Sequence, residues 1–205
     1  MKKSIFLPSL FGALFIVAAC AQAPVPNTLD EIIGACEGCH ATGFGTQAYA
    51  PSLNGMQNWY MEEQLHNFRA ETRGASPSGE AVMEMARQTK SLTESELSGV
   101  VDYYSHQKRL HSSETVNGDS DNGKPLYEEN CAGCHAGWMG RRFTKSPYIT
   151  HLEGPYLLQQ LQLFASDKRS FVVDGKHKRR MTEVSKIFSP QELSDIAAYI
   201  KSQPD

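Results

Sequence analysis

Apolar residues recur at helical spacing in two similar sets. Thr28-Leu29-Asp30-Glu31 is a capping box one turn ahead of Ile32 and Ile33. Thr93 with Glu96 is another, followed by Leu97, Val100, Val101 and Tyr104 on one face. A third start combines Ser189, Pro190 at the first helical position and Glu192, ahead of Leu193, Ile196, Ala197 and Ile200. Trp59 to Phe68 and Tyr156 to Phe164 read as middle helices. Phe171-Val172-Val173 is the best strand signal and it is short. The pattern predicts an all-α chain of a few helices joined by long loops.

Aligning the chain with itself turns this into a duplication. Cys36-Glu37-Gly38-Cys39-His40 matches Cys131-Ala132-Gly133-Cys134-His135, and Pro51 matches Pro147. Tyr60, Gln64, Leu65 and Phe68 match Tyr156, Gln160, Leu161 and Phe164, Met85 matches Met181, and Leu97 matches Leu193. A period this long means two copies of a domain rather than a solenoid. The polar stretch 112–123 has no apolar periodicity and reads as a linker between a unit at 28–111 and a unit at 124–205. The 205 residues, 40% hydrophobic and 21% charged, suit two modest globular domains. Units this small bury little apolar surface, so a further group should complete each core.

The repeated Cys-x-x-Cys-His pentapeptide supplies that group, since it is the attachment pattern of c-type haem. Its thiols can add to the two vinyl groups of one porphyrin, and the adjacent histidine can reach the iron. A thioredoxin-like pair would need a βαβ context, and a zinc site would need each motif to find a fourth ligand separately. A sixth iron ligand is expected from methionine, which raises the reduction potential. Met85 and Met181 occupy equivalent positions, with Met83 the near rival in the first unit. Met56, Met61 and Met139 have no counterpart and are expected in core or surface roles, while His151 and His177 are expected on the surface.

These residues resemble the class I cytochromes c, and specifically the dihaem cytochrome c4 family. Ala50-Pro51-Ser52-Leu53-Asn54-Gly55, Tyr60 with Gln64-Leu65 and Phe68-Arg69, and the methionine followed by a capped helix extend the likeness over Thr28 to Pro204. The resemblance implies two tandem class I cytochrome c domains. It implies haem c bound through Cys36 and Cys39, and through Cys131 and Cys134, with iron held by His40 and Met85, and by His135 and Met181. It also implies that the carbonyls of Pro51 and Pro147 accept from the histidine rings. The second unit departs from the family at Pro147-Tyr148-Ile149-Thr150-His151, where a Pro-x-Leu-x-Gly stretch is usual, and at Ala165, which stands where the first unit has Arg69.

Residues 1–19 read as an export signal, with Lys2 and Lys3 ahead of a short apolar run. Val17-Ala18-Ala19-Cys20 resembles a lipobox, so Cys20 is expected to carry lipid and 20–27 to tether the first unit to a membrane on the periplasmic side. An ordinary cleavable signal and a free periplasmic protein are the alternative. The net charge of −3 gives no case for nucleic acid. It is unevenly spread: residues 21–113 carry 6 basic and 11 acidic side chains, and residues 124–205 carry 12 basic and 9 acidic. Lys176, Lys178, Arg179 and Arg180 run into Met181, and Arg141-Arg142 follow the second motif, a basic cluster suited to an acidic redox partner. The expected function is single-electron transfer rather than enzymatic turnover. The resemblance suggests a quinol-oxidising complex or dehydrogenase as donor and a haem–copper oxidase as acceptor. A dedicated cytochrome subunit of a periplasmic dehydrogenase is the alternative.

Overall fold

The structure, a computed structural model, describes residues 28–40, 50–75, 78–171 and 175–204. The signal sequence, Cys20 and the tether at 20–27 lie outside the described residues, as do Val172 and Val173. In the first unit the helices are α1 (Leu29–His40), α2 (Asn58–Arg69), α3 (Glu80–Lys90) and α4 (Glu94–Ser105). In the second they are α5 (Ser120–Asn130), α6 (Ala132–His135), α7 (Trp138–Thr144), α8 (Gly154–Ala165), α9 (Lys176–Ser185) and α10 (Pro190–Ser202). The only strand-like pairing among the described residues is an isolated antiparallel bridge between Arg73 and Arg169.

Local chemistry sets the helix starts. Thr28 and Glu31 exchange both capping-box bonds, as do Thr93 with Glu96 and Ser189 with Glu192. Asp119 caps α5 by accepting from the Asp121 and Asn122 N–H groups. That cap shortens the expected linker, because 120–123 are already helical. What remains of it is strapped to the second unit: Ser112 N–H donates to the His151 carbonyl, and Gly154 N–H to that of Glu114.

The first and last helices of each unit cross, α1 on α4 and α5 on α10. The middle helices α2 and α8 flank these pairs and carry α3 and α9. The main core joins both units, with Ile33, Leu65, Leu97 and Tyr104 from the first and Tyr127, Leu157, Ile196 and Ile200 from the second. Met56 and Met61 are buried in it, and Met139 is exposed. His151 is not on the surface as its sequence context suggested. It is 1% exposed, with its ring stacked on Tyr148 at 5.5 Å.

Candidate functional site

The first pentapeptide lies within α1, which runs unbroken through His40. The second falls across a break, where α5 ends at Asn130 and α6 begins after Cys131. In both units the histidine of the pentapeptide is fixed by the same bond. His40 Nδ1 lies 2.6 Å from the Pro51 carbonyl oxygen, and His135 Nδ1 lies 3.1 Å from that of Pro147. A carbonyl can only accept, so Nδ1 carries the proton and Nε2 presents its lone pair. Burial lowers the pKa of both rings and so favours this neutral, ligating form. His40 Nε2 is buried and finds no hydrogen-bond partner among the described residues. An orphaned lone pair on an oriented imidazole suits a metal ligand.

The second unit shows what surrounds such a ligand. Cys131, Cys134, His135, Pro147 and Met181 line one largely apolar cavity, walled by Ile149, Leu157, Leu161, Phe164, Val184, Phe188 and Ile200. Met181 reaches it from α9, a helix that the sequence pattern did not suggest. In the first unit Met85 stands on α3, equally unforeseen, where it packs against both hydrophobic clusters of the molecule. Cys36 packs against the larger of the two. None of the four described cysteines forms a disulfide. Burial raises the Cys36 thiol and pushes that of Cys131 up to about 11, opposite to a reactive thiolate pair. Among the described residues no three or more Cys, His, Asp or Glu side chains gather as a metal cluster. The residues of the second unit fit a haem: two thiols, an oriented imidazole, a thioether and apolar walls line one cavity.

Residues 31–108 and 120–204 each match the cytochrome c family. The chain belongs to that family. Cytochrome c4 of Azotobacter vinelandii is 24% identical over 214 residues, with 98% of each chain covered. Two solved structures of cytochrome c4 share the fold. That of Acidithiobacillus ferrooxidans has TM-score 0.64 at 24% identity over 83% of this chain and 99% of the other. The reduced recombinant protein of Pseudomonas stutzeri has TM-score 0.64 at 24% identity over 82% and 93%. Thiosulfate dehydrogenase (TsdBA) of Marichromatium purpuratum has TM-score 0.63 at 23% identity over 82% of this chain, which spans only 36% of that protein's length. Two cytochrome c domains in tandem make the chain an electron-transport protein.

Between the domains lies a network that the sequence pattern did not reveal. Arg73 donates to Gln64 Oε1 of its own domain at 3.0 Å, and to Tyr156 Oη at 2.8 Å and Gln160 Oε1 at 3.0 Å of the other. Arg169 mirrors it, donating to Gln160 at 2.8 Å, Tyr60 at 3.0 Å and Gln64 at 2.9 Å. Each guanidinium also lies over a phenylalanine ring, Arg73 over Phe68 and Arg169 over Phe164. Both arginines are 4% exposed, and burial together with the charge of Arg169 lowers the pKa of Arg73. Their Nε–H groups find no acceptor among the described residues. Arg169 lines the cavity of the second domain.

The basic cluster near Met181 is less free than its sequence suggested. Lys178 pairs with Glu63 of α2, across the domain boundary, and both side chains are about three-quarters covered. Lys176 and Arg180 remain exposed.

Proposed function

We propose that the chain is a periplasmic electron carrier with two covalently bound haems c. In this reading Cys36 and Cys39 hold the first haem and Cys131 and Cys134 the second. His40 with Met85, and His135 with Met181, ligate the irons. When bound, each haem supplies a one-electron ferric/ferrous couple. The protein orients each histidine through Pro51 or Pro147, supplies a thioether that favours ferrous iron, and excludes water with apolar walls. The acidic edges of the haems would find donors in the unpartnered Nε–H groups of Arg73 and Arg169. The observation that carries the reading is the cavity that gathers Cys131, Cys134, His135, Pro147 and Met181, with the first domain repeating the same histidine-to-proline bond.

The choice of partner favours a dedicated cytochrome subunit of a periplasmic dehydrogenase over a shuttle between a quinol-oxidising complex and a haem–copper oxidase. A region of this fold makes up part of a protein that is itself named a dehydrogenase. No helix among the described residues is long and apolar enough to cross a membrane. We assign membrane attachment to lipid on Cys20, so Cys20→Ser should release the protein with both haems intact.

Mass spectrometry of the mature protein should show two added porphyrins that resist acid-acetone extraction. Met85→Ala and Met181→Ala should each remove about half of the ferric sulfur-to-iron charge-transfer band and lower one reduction potential. Met83→Ala should do neither. A single haem, or an effect of Met83→Ala in place of Met85→Ala, would refute the ligand set.

A further inference from the structure

The two proximal histidines are held alike, but the peptides that hold them are backed differently. The Pro51 carbonyl, which accepts from His40, belongs to the same peptide group as the Ser52 N–H. That N–H points across the domain boundary to Glu153, at 3.2 Å from Oε1 and 3.4 Å from Oε2. In the second domain the Pro147 carbonyl shares its peptide with the Tyr148 N–H, which crosses the other way to Gln57 Oε1 at 3.4 Å. Gln57 and Glu153 are equivalent residues, the N-caps of α2 and α8, and neither side chain caps its own helix. Each serves the other domain's histidine instead.

One of the two is an acid and the other an amide. Ser52 and Glu153 are 1% and 3% exposed, so a charge there is poorly screened. Burial raises the Glu153 carboxyl above its ordinary value; its own backbone N–H, the Ser52 N–H and Lys201 act against that rise, and Glu114 adds to it. A carboxylate accepting from a peptide N–H polarises that peptide and makes its carbonyl a stronger acceptor. The shorter histidine bond, 2.6 Å against 3.1 Å, is the one backed by the acid. A stronger bond at Nδ1–H gives the imidazole more anionic character and stabilises ferric iron.

Resting on the two-haem reading above, the geometry points to Glu153 as a positioning residue that acts from the second domain to lower the reduction potential of the first haem. Gln57 is its neutral counterpart toward the second haem. The acid thus builds a potential difference between two otherwise similar sites, favouring electron flow from the first haem to the second.

The test uses the haem-loaded protein in spectroelectrochemical titration, with haem-methyl NMR signals identifying each haem. Wild type should show two one-electron steps; their absence would break the two-haem reading rather than this one. Glu153→Gln should raise the first haem's potential by about 59 mV, a tenfold change in its reduction equilibrium, and leave the second in place. It should also move the His40 Nδ1–H resonance toward that of a weaker hydrogen bond. Gln57→Glu, at a half-buried position that tolerates the change, should lower the second haem's potential instead. A Glu153→Gln protein with both haems in place and an unshifted first potential would overturn the inference. Equal shifts of both haems would overturn it too, because they would mark a general charge effect.

Discussion

The first and last helices cross closely in both domains, yet the small residue that permits the approach sits on opposite sides. In the first domain it is Gly99 on α4, where an added Cβ would meet the Leu29 side chain of α1, its Cδ1 nearest at 3.1 Å. In the second, the residue one repeat after Gly99 is Asp195 on α10, and the glycine has moved to the partner helix as Gly123 of α5. A Cβ there would lie 2.0 Å from the Asp195 carbonyl oxygen. Duplication has preserved the close crossing while exchanging the residue that allows it. The consequence is unequal tolerance, because a leucine tip can turn aside and a helix backbone cannot.

Gly123→Ala should therefore cost about 3 kcal/mol, whereas Gly99→Ala should stay within about 1 kcal/mol, the strain offset by better helix propensity. Urea unfolding of both variants measures the contrast. Equal costs would mean that the α5–α10 crossing is looser than its geometry shows.

The arginine network is the feature in which the two halves are most alike, and it should break symmetrically. Removing either guanidinium leaves a buried tyrosine hydroxyl without its donor and two glutamine oxygens with one donor each. Arg73→Ala and Arg169→Ala should each cost about 2–4 kcal/mol. The double variant should cost more than the sum, because it leaves both glutamine oxygens without any donor, and because either single change already relieves the like-charge repulsion. A double-mutant cycle in thermal unfolding checks this; strict additivity would show that the two arginines do not act as a unit.

What could be read from the sequence follows from how local each signal is. Capping boxes, the middle helices and the haem pentapeptides are written within a few residues, and the structure places α1, α2, α4, α8 and α10 accordingly. Val82, Ala86 and Thr89 give α3 a buried face at helical spacing, so that signal was present. Helix α9 buries only Val184 and Ser185, and its basic sequence has no apolar stripe to betray it. Arg73 and Arg169 stand one repeat apart, and self-alignment had already matched their partners Tyr60 with Tyr156 and Gln64 with Gln160. They escaped notice because a lone arginine is ordinarily at the surface, and its burial is decided by the other domain. Lys178 differs from its sequence reading for the same reason: its partner Glu63 is far away in sequence.

The capping boxes of α4 and α10 offer a finer comparison, because here the domains should respond identically. Thr93→Ala and Ser189→Ala should each cost about 1 kcal/mol. The backbone N–H of Thr93 holds the Glu96 carboxyl below its usual range, with the threonine hydroxyl adding to it, and Ser189 does the same for Glu192. A depressed folded-state pKa means that the benefit is complete above the unfolded carboxyl range, near about 4.3, and is lost as pH falls through the lowered value. Acid titration of thermal stability should show this loss in wild type and a smaller one in Thr93→Ala. An unchanged acid slope would separate the cap from the carboxyl.

The smallest expected effect concerns the ion pair that joins the domains. Lys178 and Glu63 are mostly covered but not sealed, so water still reaches them. Such a pair contributes about 1 kcal/mol at most and is weakened by salt. Lys178→Ala should lower stability by about 0.5–1 kcal/mol at low ionic strength, and by less in 1 M salt. Lys176→Ala, at an exposed position two residues away, should change stability by no more than about 0.5 kcal/mol. In electron transfer the order should reverse. Lys176, free to meet an acidic partner, should govern the salt-dependent encounter rate, while Lys178, already paired within the chain, should influence it little. Stopped-flow transfer rates across ionic strength decide this, and a larger rate loss in Lys178→Ala than in Lys176→Ala would return Lys178 to the docking surface.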